Sequence, residues 1–156
     1  MVFGIFISYS TYDSDTAKRI ENYLRQITNT EIYLYETQVK TGQISEAIIQ
    51  KIRQCDLFIV LYSKNSIQST YVQQEIGVAK GNHKIIIPIL LDSDAKPDAL
   101  LTGINYLSIY DEKKRNEQLP KLYQYVANES QKKASAQALL VIGGLATLAY
   151  LASKNK

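Results

Sequence analysis

The sequence predicts an α/β domain built on a doubly wound, five-stranded parallel sheet of order 2-1-3-4-5, followed by a C-terminal hydrophobic helix. Three observations predict it. Short runs rich in β-branched residues alternate with stretches of helical periodicity as far as residue 128. The first and third of these runs are apolar at nearly every position, as central strands covered on both faces require. An uncharged stretch of helix length lies near the end of the chain.

Each element follows from its residues. Val2 to Ser8 (VFGIFIS) reads as the first strand, and 13–28 as the first helix, with Ala17, Ile20, Tyr23, Leu24 and Ile27 at helical spacing behind the capping cluster Asp13, Ser14 and Asp15. Glu31 to Tyr35 is the second strand, and 44–55 a helix with Ile44, Ala47, Ile48 and Ile52 on one side. Asp56 to Tyr62 is the third strand and 69–80 the third helix, with Ser69 as its N-cap. Lys84 to Leu91 is the fourth strand, whose Pro88 marks an irregularity or an edge. A short fifth strand, 106–109, precedes a last helix over 111–128. Parallel neighbours need right-handed crossovers, which yields the order 2-1-3-4-5 and puts the ligand crevice beyond the carboxyl ends of strands 1 and 3. The loops 8–12, 36–43 and 63–69 border that crevice.

Composition narrows the function. The chain has 156 residues, 46% apolar and 21% charged, enough for one core. The formal charge of +3 is carried by Lys132, Lys133, Lys154 and Lys156 near the C-terminal stretch, so the body is close to neutral and offers no basic face for nucleic acid. One cysteine, Cys55, excludes a disulfide framework, and with the single histidine, His83, it leaves no cluster for a metal site. Cys55 reads as core filler and His83 as a solvated turn residue.

The uncharged stretch 134–152, ASAQALLVIGGLATLAYLA, is 19 residues long, about what a helix needs to cross a ~30 Å hydrocarbon layer. Its expected role is a single-pass transmembrane anchor that ties the body, on the cytoplasmic side, to the lipid bilayer. A long buried helix or a self-association helix is the alternative, since Gln137, Thr147 and the Gly143-Gly144 pair dilute the apolar run. The resulting organisation is a domain over 1–128, a polar linker over 129–133, a membrane helix over 134–152 and a tail over 153–156.

Three chemistries common in doubly wound, flavodoxin-like sheets do not fit. A phosphoacceptor receiver needs acids after strand 1 and an aspartate ending strand 3, where this chain has Ser8, Tyr62 and Ser63. A flavin phosphate loop needs glycine, and YSTYDSDTAK has none. The G-x-G-x-x-G turn of dinucleotide folds is absent.

FISYSTYD at 6–13, Thr41-Gly42-Gln43-Ile44 and DLFIVLYSKNSIQSTYVQQE at 56–75 together resemble the TIR (Toll/interleukin-1 receptor) domain family of the microbial, NAD-cleaving type. The resemblance runs to about residue 128. In the enzymes of that family a W-x-x-x-E motif carries the catalytic glutamate, and here it reads Tyr71-Val72-Gln73-Gln74-Glu75. Tyrosine replaces tryptophan, which keeps an aromatic wall but departs from the motif. The resemblance therefore implies Glu75 as catalytic residue and NAD as substrate, with no cofactor and no metal. It also implies self-association through TIR–TIR contacts, in which the 36–43 loop of one copy completes the site of the next, and a role in antiphage defence. A non-catalytic TIR adaptor acting through the same loop is the alternative.

Helix geometry places these residues without the family. At about 100° per residue Val72, Ile76 and Ala79 form one stripe, with Glu75 and Tyr71 on its shoulder. A carboxylate there reaches a crevice while partly shielded from water, which raises its pKa. Ser8, Tyr9 and Ser10 after strand 1, and Ser66 after strand 3, are the expected substrate contacts together with Tyr71. Tyr33, Tyr35, Tyr123 and Tyr125 read as packing residues.

Overall fold

Phe3–Ser8 (β1) and Leu57–Tyr62 (β3) are buried along their whole length and form the middle of the sheet in the computed structural model. The structure describes residues 2–35 and 43–154, with side chains as far as Ala138. Thr30–Leu34 (β2) flanks β1, while Ile85–Leu90 (β4) and the two-residue Leu107–Ser108 (β5) extend the sheet beyond β3. All pairings are parallel and the order is β2-β1-β3-β4-β5, as the alternation of strands and helices requires. The helices are Ser14–Leu24 (α1), Glu46–Gln54 (α2), Lys64–Ile67 (α3), Thr70–Gly81 (α4) and Glu112–Lys154 (α5).

Side chains of a strand alternate between faces, and the register pairs odd with odd across β1 and β3 (Ile5 with Leu57, Phe6 with Phe58). The odd residues Ile5, Ile7, Ile59 and Leu61 pack against α1 and α5 through Ala17, Ile20, Leu24, Leu122 and Val126. The even residues Phe6, Phe58, Val60 and Tyr62 pack against α2 and α4 through Ile48, Ile52, Val72, Ile76 and Ala79. Phe6 and Phe58 stack at 5.6 Å between centroids, which fixes the centre of that second layer. Ala47 is exposed rather than part of the α2 stripe, and Ile44 lies ahead of the helix.

Pro88 sits inside β4 without breaking it. Leu91 N donates to Tyr62 O and Ile109 N donates to Leu90 O, so odd residues of β4 face β3 and even residues face β5. Pairing with β5 begins only at Ile89. The missing N–H of Pro88 therefore costs no ladder bond, because it points to where no partner strand runs.

The C-terminal part departs most from expectation. Instead of a helix ending at 128, a linker and a separate membrane helix, one helix runs from Glu112 to Lys154. The 129–133 segment is helical and packed: Ser130 is buried and donates to Ala127 O, and Lys133 Nζ lies 2.6 Å from Asp56 Oδ2. Among the described residues no helix is long and apolar enough to cross a membrane. That finding overturns the transmembrane anchor over 134–152 and with it the single-pass localisation, and nothing among the described residues supports the bilayer as a partner. The stretch continues a helix that starts inside the domain, and the part whose side chains are described, as far as Ala138, is rich in Lys, Glu, Gln and Asn and too polar to lie in hydrocarbon. The side chains of 139–154 lie outside the described residues.

Asp56 also accepts from Gly4 N at 2.8 Å, so its carboxylate joins β1, the entry to β3 and α5. Removing a partly buried acceptor strands the Gly4 N–H, whereas the Lys133 pair is about a third exposed and screened. We expect Asp56→Ala to lower unfolding free energy by about 1–2 kcal/mol and Lys133→Ala by less than about 1 kcal/mol, as read by urea denaturation of the full chain.

Candidate active site

Parity of the strand decides where Ser8 points. As the last even residue of β1 it lies on the α2/α4 face, and its Oγ donates a hydrogen bond to Glu75 Oε2 on α4. α4 starts at the Ser69 N-cap, which accepts from Val72 N at 3.4 Å, and buries Val72, Ile76 and Ala79 against the sheet. Glu75, on the shoulder of that stripe, is drawn in with it and is only 4% exposed. Among the described residues no fully buried side-chain oxygen lacks a hydrogen bond. The Glu75 carboxylate meets that rule through Oε2, the oxygen bonded to Ser8. Burial pushes the Glu75 carboxyl up to about 7, while the Ser8 hydroxyl pulls it the other way.

A cleft of about 390 Å³ opens beyond the carboxyl ends of β1, β2 and β3. One wall is Tyr9, Ser10, Thr11 and Tyr12, and the other is Asn65, Gln68, Ser69, Thr70 and Tyr71, with Tyr35 at the end of β2. Of the expected contacts, Tyr9, Ser10 and Tyr71 line this cleft. Ser8 and Glu75 do not; each adjoins a lining residue, Ser8 as the neighbour of Tyr9 and Glu75 one helical turn after Tyr71. Ser66 stands elsewhere. It is fully buried in a reciprocal cap, with Ser63 N donating to its Oγ at 2.7 Å and Ser66 N donating to Ser63 Oγ at 3.1 Å, so its hydroxyl is engaged in closing α3. The Glu36–Gly42 part of the loop after β2, including Thr41 and Gly42, lies outside the described residues.

The two walls are tied together. Ser63 Oγ donates to Asp13 Oδ2 at 2.5 Å and Asn65 Nδ2 donates to Asp13 Oδ1 at 3.4 Å. Asp13 was expected to cap α1, yet it makes no side-chain cap bond there and bridges the loops instead. From the third side, Ile44 N donates to Gln74 Oε1 at 3.0 Å, anchoring the chain after β2 beside Glu75.

Tyr35 is a correction. Read as a strand residue, it is half exposed and lines the cleft, because it follows β2 at the same sheet edge where β1 ends. That edge position was available from the strand order. Tyr33 and Tyr123 do pack: Lys51 lies 4.1 Å over the Tyr33 ring, and Tyr123 tilts against Tyr23 at 5.2 Å. Cys55 is buried, donates to Ile52 O at 3.1 Å and is pushed up to about 11 by burial, the state of an inert thiol.

A family model described as TIR domain matches residues 5–123. The chain belongs to the TIR domain family. Solved structures agree on the fold. The TIR domain of the Toll-related receptor TRR-2 from Hydra magnipapillata superposes with a TM-score of 0.63 at 18% identity, over 78% of this chain and 96% of that one. The CMP N-glycosidase BcmB of Clostridium botulinum gives 0.52 at 23% identity, over 78% and 98%. The TIR domains of the activated Roq1 resistosome, which directly recognises the pathogen effector XopQ, give 0.50 at 22% identity over 59% of each chain. Identities this low speak to architecture alone. No curated protein matches the chain.

The raised Glu75 carboxyl makes a stability prediction. The folded state holds the proton more tightly than the unfolded chain, so the contribution of Glu75 to stability is full below about 4.5 and is lost as pH rises through about 7. Glu75→Gln keeps an acceptor for Ser8 but carries no charge to bury. Its thermal midpoint is expected to exceed wild type by roughly 5 °C at pH 8 and to match it near pH 4, measured by scanning calorimetry.

Proposed function

We propose that this TIR domain is an NAD+ nucleosidase that breaks the nicotinamide–ribose bond and yields ADP-ribose or a cyclic ADP-ribose isomer. The observation that carries the proposal is Glu75: an ionisable carboxylate, almost buried, held by Ser8 and adjoining an aromatic-walled cleft at the carboxyl edge of the sheet. In NAD+ the departing nicotinamide is already a pyridinium, so bond breaking needs no acid. It needs stabilisation of the oxocarbenium character that develops on the ribose. In this reading Tyr71 flanks the nicotinamide end, the segment of Tyr9 and Ser10 borders it, and the ribose reaches the Glu75 carboxylate between the two. Ser8 holds the opposite oxygen and keeps the carboxylate in one orientation. Water capture at C1′ gives ADP-ribose; capture by a nucleophile of the same molecule gives a cyclic isomer.

Two neighbours support the bond class and the setting. BcmB acts on the N-glycosidic bond of CMP, and the Roq1 resistosome recognises a pathogen effector. By analogy the protein works in antiphage or immune signalling as a self-associated assembly, with the loop after β2 of one copy completing the cleft of another. A second reading, a non-catalytic TIR interaction module, is favoured by one observation: Glu75 does not itself line the cleft.

Incubation of the purified full chain with NAD+, over a range of protein concentrations, separates the two. Nicotinamide release is expected, steeper than linear in protein, and reduced by about 100-fold or more in Glu75→Gln. Because only the ionised carboxylate stabilises a cation, the rate should rise with pH through about 7. Ser8→Ala, which removes the donor that favours ionisation, should move that rise to higher pH. A wild-type chain silent at every concentration leaves the interaction module standing, and equal rates from wild type and Glu75→Gln overturn the role of Glu75.

A further inference from the structure

A second cavity, of about 460 Å³, lies on the opposite face of the sheet, between α1 and the start of α5 and beyond the carboxyl ends of β4 and β5. Its apolar lining is Ile20 and Leu119 from the two helices with Leu91 and Ile109 from the strand ends. Arg19 of α1 and Arg115 of α5 line the same space, with the hydroxyl-bearing Thr16 and Tyr110. No carboxylate lines it.

Among the described residues neither guanidinium makes an ion pair or a hydrogen bond. The acids nearest in sequence do not supply one: Asp15, one turn before Arg19, and Glu112, one turn before Arg115, form no pair with them, and Asp111 Oδ1 accepts from Lys114 N instead. The two arginines are exposed and border one concavity that no acid lines, so an anion seated there has both as partners. Guanidinium forks suit the oxygens of a phosphate, and a pair of them suits a dianion. The aliphatic lining adds a hydrophobic surface for whatever carries that phosphate, and the volume matches small-molecule sites.

We propose that this cavity is a binding site for a small organic phosphate, of about mononucleotide size, whose phosphate bridges Arg19 and Arg115 and whose apolar body rests on Leu91 and Leu119. The site is separate from the Glu75 cleft and stands or falls without the NAD reading, since it uses the other face of the sheet and none of the same residues.

The test is titration of the full chain by calorimetry with AMP, phenyl phosphate, adenosine and inorganic phosphate, with amide chemical shifts recorded in parallel. Saturable binding is expected for AMP or phenyl phosphate, with shifts at Thr16, Arg19, Ile109 and Tyr110. Inorganic phosphate and adenosine should each bind about tenfold or more weakly, because each lacks one half of the recognition. R19A and R115A should each weaken binding several-fold and the double variant by at least about tenfold, whereas Glu75→Gln should leave it unchanged. Shifts confined to Tyr9 and Tyr71, retained affinity in the folded double variant, or no saturation with either organic phosphate at millimolar concentration would overturn the site. Circular dichroism of the double variant, whose substitutions are at exposed positions, separates lost binding from lost fold.

Discussion

Complete burial of β1 and β3 on both faces is the constraint from which the remaining geometry follows. With every residue of these strands covered, a slip of one position would exchange the Ile5/Ile7 layer for the Phe6/Phe58 layer, and the two differ too much in shape to trade places. Register is thereby fixed to the last residue of β1. Ser8 must face α4, Tyr9 must face the other way, and the hydroxyl that meets Glu75 is placed by the same alternation that fills the core.

Around that point several polar side chains bond across from one segment to another. Asp13 leaves the helix it precedes and joins Ser63 and Asn65, so the walls of the cleft are connected by side chains rather than by backbone continuity. Gln74 takes the Ile44 N–H and holds the chain entering α2 against α4. The segments that carry Tyr9, Tyr71 and Glu75 thus belong to one hydrogen-bonded frame, and binding a ligand between them does not require the frame to be assembled first.

What could be read in the residues, and what could not, divides along physical lines. Periodicity identified all five strands and the four longer helices, because strand burial and the α4 stripe of Val72, Ile76 and Ala79 are written in local patterns. The same spacing put Glu75 beside the stripe. Missed were features that depend on which partner a side chain meets. Asp13 has the look of a cap until Ser63 arrives from 50 residues away, and Ser66 has the look of a loop hydroxyl until its reciprocal bonds with Ser63 close the single turn of α3. Tyr35 was misjudged because its own strand says nothing of the edge it ends on. The stretch after 133 was misjudged because hydrophobicity was weighed apart from the charged helix that it continues.

The Asp56 carboxylate carries one more implication. By accepting from Gly4 N and Lys133 Nζ it ties the opening strand to the middle of the final helix, 77 positions from Asp56. Termini are ordinarily where a domain frays first, each independently of the other. Here the N-terminal strand is instead linked to the middle of the last helix through a single side chain, a coupling held to less than about 1 kcal/mol by the exposure of the pair.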